Sequence, residues 1–155
     1  QKLNYSGLFG NQNFTFLYRI FPVMAQTITK GIKALLAAAN KVVTSIPLDE
    51  AKALVDSDRH VLVDLRDIRE IKRSGKIPGA FSCPRGMLEF WIDPDSPYHK
   101  DIFNQDKTYV FYCASAWRSA LSAQLAMEMG LAPVAHIEGG FTAWLKAGGA
   151  IEKVA

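Results

Sequence analysis

Tyr109-Val110-Phe111-Tyr112-Cys113-Ala114-Ser115-Ala116-Trp117-Arg118-Ser119 decides how this chain is read. Four consecutive β-formers follow a polar turn, so residues 109–112 are predicted to form a buried strand. That strand runs straight into Cys113. Small residues follow, then Trp117 and Arg118. From Ser119 to Met129 small and apolar residues recur at helical spacing, and Gly130 is a natural stop.

Each part of this run has a chemical use. The strand delivers Cys113 to the carboxyl edge of a sheet, where α/β folds place their ligands. A loop of small residues lets the backbone curl around a sulfur atom. Its N–H groups, with the first free N–H groups of the following helix, can converge on one point. The helix N-terminus adds a positive dipole and Arg118 a full positive charge, so a thiolate or another sulfur anion is stabilised there. The arrangement is an anion cradle with a nucleophile at its centre. A plain buried cysteine would need none of these companions.

Outward from this run, strands and helices alternate. Thr27 to about Val43 is predicted to be a helix, with Ile28, Ile32, Leu35, Leu36 and Ala39 on one face. Ser45 and Pro47 read as the cap and first position of a short helix through Val55. Val61-Leu62-Val63-Asp64 reads as a strand neighbouring that of Cys113, with Asp64 at its carboxyl end. Ile68 to Lys72 reads as a helical turn or two, closed near Gly75, with Arg66 and Glu70 paired across four residues. Ala80-Phe81-Ser82 is a brief strand. Residues 86–106 read as an extended polar loop around Met87, Leu88, Phe90 and Trp91. Val134-Ala135-His136-Ile137 is a further strand, Gly139-Gly140 a turn, and Phe141 to Lys146 a last helix with Trp144 in the core. Alternation of this kind implies βαβ units and a mostly parallel sheet.

Length and composition agree with one domain. The chain has 155 residues, 49% apolar and 21% charged, enough to bury a core without staples. Charge is unevenly placed. No Asp or Glu precedes Asp49, whereas Lys2, Arg19, Lys30, Lys33 and Lys41 do, so the front is basic and the remainder slightly acidic. Residues 1–23 are rich in Asn and aromatics without a period, and the character changes at Met24. Residues 1–23 are expected to be an appended or flexible segment and 24–155 the domain, with its motifs in 45–151. Nucleic-acid-binding signatures are lacking. No apolar run reaches the ~18 residues of a transmembrane helix, so no membrane span is expected.

Cys83 and Cys113 are the two cysteines. They form no CxxC pair, and no His/Cys cluster has zinc spacing. Neither metal nor organic cofactor is implied, and a reducing, cytoplasmic setting is expected. Cys83, just before Pro84, is either a resolving thiol for Cys113 or a spectator, and the spectator reading is preferred. Trp117 is either a wall of the pocket or an exposed aromatic. His60 and His136 read as ordinary turn and strand residues. Asp93 and Asp95 read as solvated loop carboxylates.

Four blocks, in order, resemble the rhodanese-like domain family, over roughly Ser45 to Ile151. Cys113-Ala114-Ser115-Ala116-Trp117-Arg118-Ser119 resembles its active-site loop C-x-x-G-x-R-S. Val63-Asp64-Leu65-Arg66-Asp67 with Glu70 resembles D-V-R…E. Gly75-Lys76-Ile77-Pro78-Gly79-Ala80 resembles G-H-I-P-G-A, and Glu138-Gly139-Gly140-Phe141 with Trp144 resembles the closing G-G…W. The resemblance implies a three-layer α/β sandwich of about five mostly parallel strands with helices on both faces. It implies a sulfurtransferase that moves sulfane sulfur from thiosulfate or a persulfide donor to cyanide or a thiol through a Cys113 persulfide. Ala114 to Ser119 would form the substrate loop, and Asp64 and Arg66 would support it. The donor and acceptor would be small molecules or proteins, and the oligomeric state is left open.

Two departures stand out. Ala116 occupies the position of the family's loop glycine, where a positive φ would carry a penalty, and the loop is expected to close if that residue can sit at a negative φ. Ala114 follows the nucleophile where a basic residue is frequent. Three rival readings remain. One is a non-catalytic rhodanese-like binding module, against which Cys113 and Arg118 argue. Another is a sulfur carrier charged by a partner. The third is a cysteine-dependent phosphatase or arsenate reductase. These use C-x5-R around a tetrahedral oxyanion, whereas four residues separate Cys113 from Arg118 here.

Overall fold

A computed structural model describes residues 26–155. The segment 1–23 expected to be appended lies outside them. Five strands form one sheet: β1 (Thr44–Ile46), β2 (His60–Asp64), β3 (Phe81–Ser82), β4 (Thr108–Tyr112) and β5 (Val134–Ile137), all parallel, in the order β1-β5-β4-β2-β3. Six α-helices accompany them: α1 (Ile32–Val42), α2 (Leu48–Lys52), α3 (Ile68–Ser74), α4 (Leu88–Ile92), α5 (Trp117–Glu128) and α6 (Gly140–Lys146).

The central strand is β4, and its alternation builds both halves of the core. Tyr109 and Phe111 point into a cluster with Val61, Val63, Leu88 and Ala123, on the side of α4 and α5. Val110 and Tyr112 point into the opposite cluster with Leu62, Ile137, Phe141 and Trp144, on the side of α2 and α6. The sheet is thus covered on both faces, which is why its inner strands read as continuous apolar runs. Ala120, Ala123 and Ala126 are buried along α5; their small side chains let that helix lie close to the sheet and to α1.

Several expectations need correction. Ser45 does not cap a helix: Thr44–Ile46 is edge strand β1, paired with β5, and Pro47 is the N-cap of α2. With Thr44 and Ser45 exposed and Ile46 partly buried, three residues leave little alternation to read. The first helix starts at Ile32, not Thr27. The stretch 86–106 is not an extended loop. It holds α4 and two short 3₁₀ turns, and Leu88, Ile92 and Phe103 are buried in the core. Finally, α5 begins at Trp117, two residues before Ser119.

Candidate active site at the carboxyl end of the central strand

Cys113 follows the last residue of β4 and is fully buried. Ala114, Ser115 and Ala116 curve from it into α5. Contrary to the sequence expectation, Ala116 sits in the left-handed region at φ 68°, as the N-cap of α5. The turn from strand into helix within three residues demands that conformation. An L-residue is disfavoured there because its Cβ crowds the following carbonyl.

The loop is braced from α6. Phe141 N–H donates to Cys113 O at 2.7 Å and Thr142 N–H to Ala114 O at 3.0 Å. A trans peptide points its N–H opposite to its C=O. Drawing these two carbonyls toward α6 therefore turns the N–H groups of Ala114 and Ser115 away from it. Among the described residues, the N–H groups of Ala114 to Ser119 have no intramolecular acceptor, and the first bond of α5 is Ala120 N–H to Ala116 O. Six donors are thus left free around one turn of chain. Gly140 makes the brace possible. Its φ is +63°, and a Cβ there would lie 2.5 Å from Cys113 O and 2.8 Å from Ala114 O. The resemblance singled out this Gly-Gly pair without showing what it touches.

Arg118 is held, not free. Its Nη1 and Nη2 donate to Glu70 Oε2 and Oε1 at 2.8 and 2.9 Å. Glu70 also accepts from Asp67 N–H in the capping box of α3. The ion pair with Arg118 holds the Glu70 carboxyl below its ordinary value. In return Glu70, and to a smaller extent the Cys113 side chain, pushes the Arg118 guanidinium up. The expected pairing of Glu70 with Arg66 is thereby overturned. Arg66 precedes α3 and has another partner.

That partner is Asp64. Both side chains are buried, and Arg66 Nη2 and Nε donate to Asp64 Oδ2 and Oδ1 at 2.6 and 2.9 Å. Asp64 and Arg66 were expected to support the Cys113 loop; the Asp64 carboxylate is engaged by Arg66 and not by the loop. The guanidinium also donates to Gly75 O and Ser74 Oγ, and stacks 3.8 Å from the Phe141 ring. Asp64 and Arg66 therefore act on the loop through Phe141, the residue whose N–H holds Cys113 O.

On its other side Cys113 meets Ser119 of the expected substrate loop and, through it, His136, which sequence reasoning read as an ordinary strand residue. Sγ donates to Ser119 Oγ at 3.7 Å, and that hydroxyl lies 3.2 Å from both His136 Nδ1 and Ala116 O. Burial pushes the His136 imidazole below its ordinary value. The available signal was register: His136 on β5 pairs with Phe111, two residues before Cys113.

Next to the loop is a cleft of about 340 Å³, lined in part by Leu36 and Asn40 of α1, Ser115, Trp117, His136 and Glu138. Trp117 is 55% exposed and lines this cleft. Cys113 itself does not line it. Cys83 is fully buried, and burial together with the Glu89 charge pushes its thiol up to about 12. Asp93 and Asp95 are exposed loop residues, and neither lines the cleft.

Known proteins resemble this chain. A mouse thiosulfate sulfurtransferase/rhodanese-like domain-containing protein 3 is 29% identical over 101 residues, or 62% of this chain; the match spans 64% of that relative's length. An Allochromatium vinosum sulfurtransferase is 30% identical over 98 residues, covering 63% of this chain and 83% of its own. A solved Rhodopseudomonas palustris protein of unknown function, described as a possible tyrosine phosphatase, is 62% identical with a TM-score of 0.81. It covers 83% of this chain, which covers 99% of it. The rhodanese-like domain matches residues 47–147, a stretch that contains Cys113, Arg118, His136 and the glycine pair against the loop. The chain therefore belongs to the rhodanese-like domain family.

Proposed function

We propose that this domain is a sulfurtransferase that carries sulfane sulfur as a persulfide on Cys113. The observation that supports this best is the set of six unsatisfied N–H groups between Ala114 and Ser119, beside a cysteine at the N-terminus of α5. Thiolate Cys113 attacks the outer sulfur of thiosulfate. The Sγ–S bond forms, the S–S bond of the donor breaks, and sulfite leaves with its electron pair. A persulfide donor reacts in the same way with a thiolate leaving. The terminal sulfur is anionic, and the free N–H groups and the α5 dipole stabilise it. An acceptor thiol or cyanide then attacks that sulfur, and Cys113 leaves as thiolate.

The phosphatase description of the Rhodopseudomonas neighbour supplies the competing reading. Two features weigh against it. The loop from Cys113 to Arg118 has four intervening residues, a small ring for a phosphoryl group. The two Arg118 N–H groups that would clamp an oxyanion are taken by Glu70. Intact mass spectrometry after incubation with thiosulfate, or with a low-molecular-weight persulfide, decides between them. The expected result is a reducible one-sulfur adduct, absent from Cys113→Ser, and no turnover of an aryl phosphate. Cys113-dependent aryl phosphate hydrolysis without any sulfur adduct would overturn the reading. Chain beginning at Met24 should retain both the adduct and the melting temperature, because residues 1–23 carry none of the matched motifs.

A further inference from the structure

Cys113 is fully buried and does not line the cleft beside its loop. A buried thiol passes its proton most directly to a hydrogen-bonded group of the protein, and only the thiolate is a nucleophile. The proton needs a route through the protein. The structure offers one: Cys113 Sγ to Ser119 Oγ at 3.7 Å, then Ser119 Oγ to His136 Nδ1 at 3.2 Å. Ser119 is fully buried and His136 is 3% exposed, so water does not compete with either bond. His136 is also a lining residue of the cleft, which opens the far end of the chain to solvent.

We propose that His136, acting through Ser119, is the proton acceptor that activates Cys113. This rests on the sulfurtransferase reading for its purpose, but not for its chemistry. The S–H bond of Cys113 breaks and its electron pair stays on Sγ. The proton joins Ser119 Oγ while the hydroxyl proton of Ser119 passes to Nδ1. A thiolate and an imidazolium result, joined by one neutral hydroxyl. In the second half of the reaction the proton returns by the same path as Cys113 leaves the persulfide. Ser119 has one hydroxyl proton and two acceptors at 3.2 Å, Ala116 O and His136 Nδ1. The relay uses the arrangement that faces His136.

The surroundings suit an imidazole that is neutral at rest. Of the groups facing it, Ser119 on α5, Asn40 on α1, and Ser45 and Phe111 on the neighbouring strands are uncharged. Among the described residues, Glu138 is the one charged residue that lines the cleft. Its charge favours the imidazolium, but burial outweighs it. Neutral His136 accepts a proton. Protonated His136 does not. Activation is therefore lost as pH falls through a value below the ordinary histidine value of about 6.5.

The test is the rate of Cys113 alkylation by iodoacetamide against pH, a reaction that needs the thiolate but no sulfur donor. It compares the wild type with His136→Asn, Ser119→Ala and the double variant, each checked by its melting temperature. Asparagine keeps an acceptor near the Nδ1 position, so a merely structural role for His136 survives it. The expected result is a loss of about tenfold or more at neutral pH in each single variant, with no further loss in the double. The acid limb of the profile should disappear in His136→Asn. All proteins should converge near pH 10, where hydroxide replaces the base. His136→Asn tracking the wild type at every pH would overturn the relay, whether or not Ser119→Ala is slow. A wild type that shows the His136-dependent profile, yet gains no sulfur from thiosulfate or a persulfide, would sink the sulfurtransferase reading and leave the relay standing.

Discussion

Cys83 and Cys113 stand at the carboxyl edge of one sheet, after the strands β3 and β4 that flank β2. Each follows the carboxyl end of a parallel strand, each is fully buried, and both belong to the same apolar cluster. Their chemistry differs because of what comes next in the chain. After Cys83 comes Pro84, which has no N–H. The next donor, Arg85 N–H, is spent on Leu65 O. Burial, helped by the Glu89 charge, then pushes the thiol up to about 12. After Cys113 come six unspent N–H groups, the start of a twelve-residue helix, and the Ser119 hydroxyl. Burial makes a cysteine inert unless the same element supplies donors for the anion.

The largest effect should come from removing the two thiols in turn. Cys113→Ser should lower sulfur transfer by at least about a hundredfold. Cys83→Ala should leave the rate within about threefold and lower the melting temperature slightly, since it deletes a buried apolar atom. Iodoacetamide should label the folded wild type once, at Cys113. Labelling of Cys83 at a comparable rate would break the contrast.

Gly140→Ala attacks the brace that Cys113 has and Cys83 lacks. The new Cβ meets two backbone carbonyl oxygens that cannot yield, and the residue stays at positive φ. A loss of about 2–4 kcal/mol in unfolding free energy is expected, read by denaturant titration, together with loss of sulfur transfer. A variant with wild-type stability would show that α6 does not hold the loop.

Glu70→Gln removes the ion pair that ties the loop arginine to α3. Glu70 and Arg118 are 26% and 33% exposed, so solvent screens the pair. The expected loss is about 1 kcal/mol at pH 7. The folded carboxyl sits below its ordinary value. Its contribution is thus complete above the unfolded value of about 4.3, and it fades as pH falls through the lower folded one. Wild type and variant should converge in acid. A constant difference from pH 7 down to pH 3, measured by thermal melts, would mean that packing and not charge is lost.

The smallest effect belongs to Ala116→Gly, which relieves an L-residue at φ 68°. Glycine also adds freedom to the unfolded chain, so the net gain should be under about 1 kcal/mol, a rise of a few degrees in melting temperature. A fall would show that the alanine methyl is packed, and that the left-handed turn at this position is not the limiting strain.

Much of this protein was legible in its residues. Val134–Ile137 is a strand with the very bounds the sequence predicted, and β2 and β4 each gain one residue at the start. Buried β-branched and aromatic runs of that kind have few alternatives. The strand-cysteine-loop-helix order around Cys113 is local, so the chain itself spells it out. Other features were not local. The short edge strand β1 exists only because β5 lies beside it, and Thr44 and Ser45 show no strand pattern of their own. The partners of Arg66, Glu70 and Arg118 were undetermined because charged residues can pair with any opposite charge that folding brings near. Arg66 turns back onto Asp64, two residues away, whereas the tertiary fold brought α3 to α5 across 48 positions. His136 likewise reads as a strand histidine until β5 is laid against β4. Sequence determines which groups are available and which elements carry them. Only the tertiary structure decides which of those groups face one another, because hydrogen bonds and ion pairs depend on distances that chain order does not set.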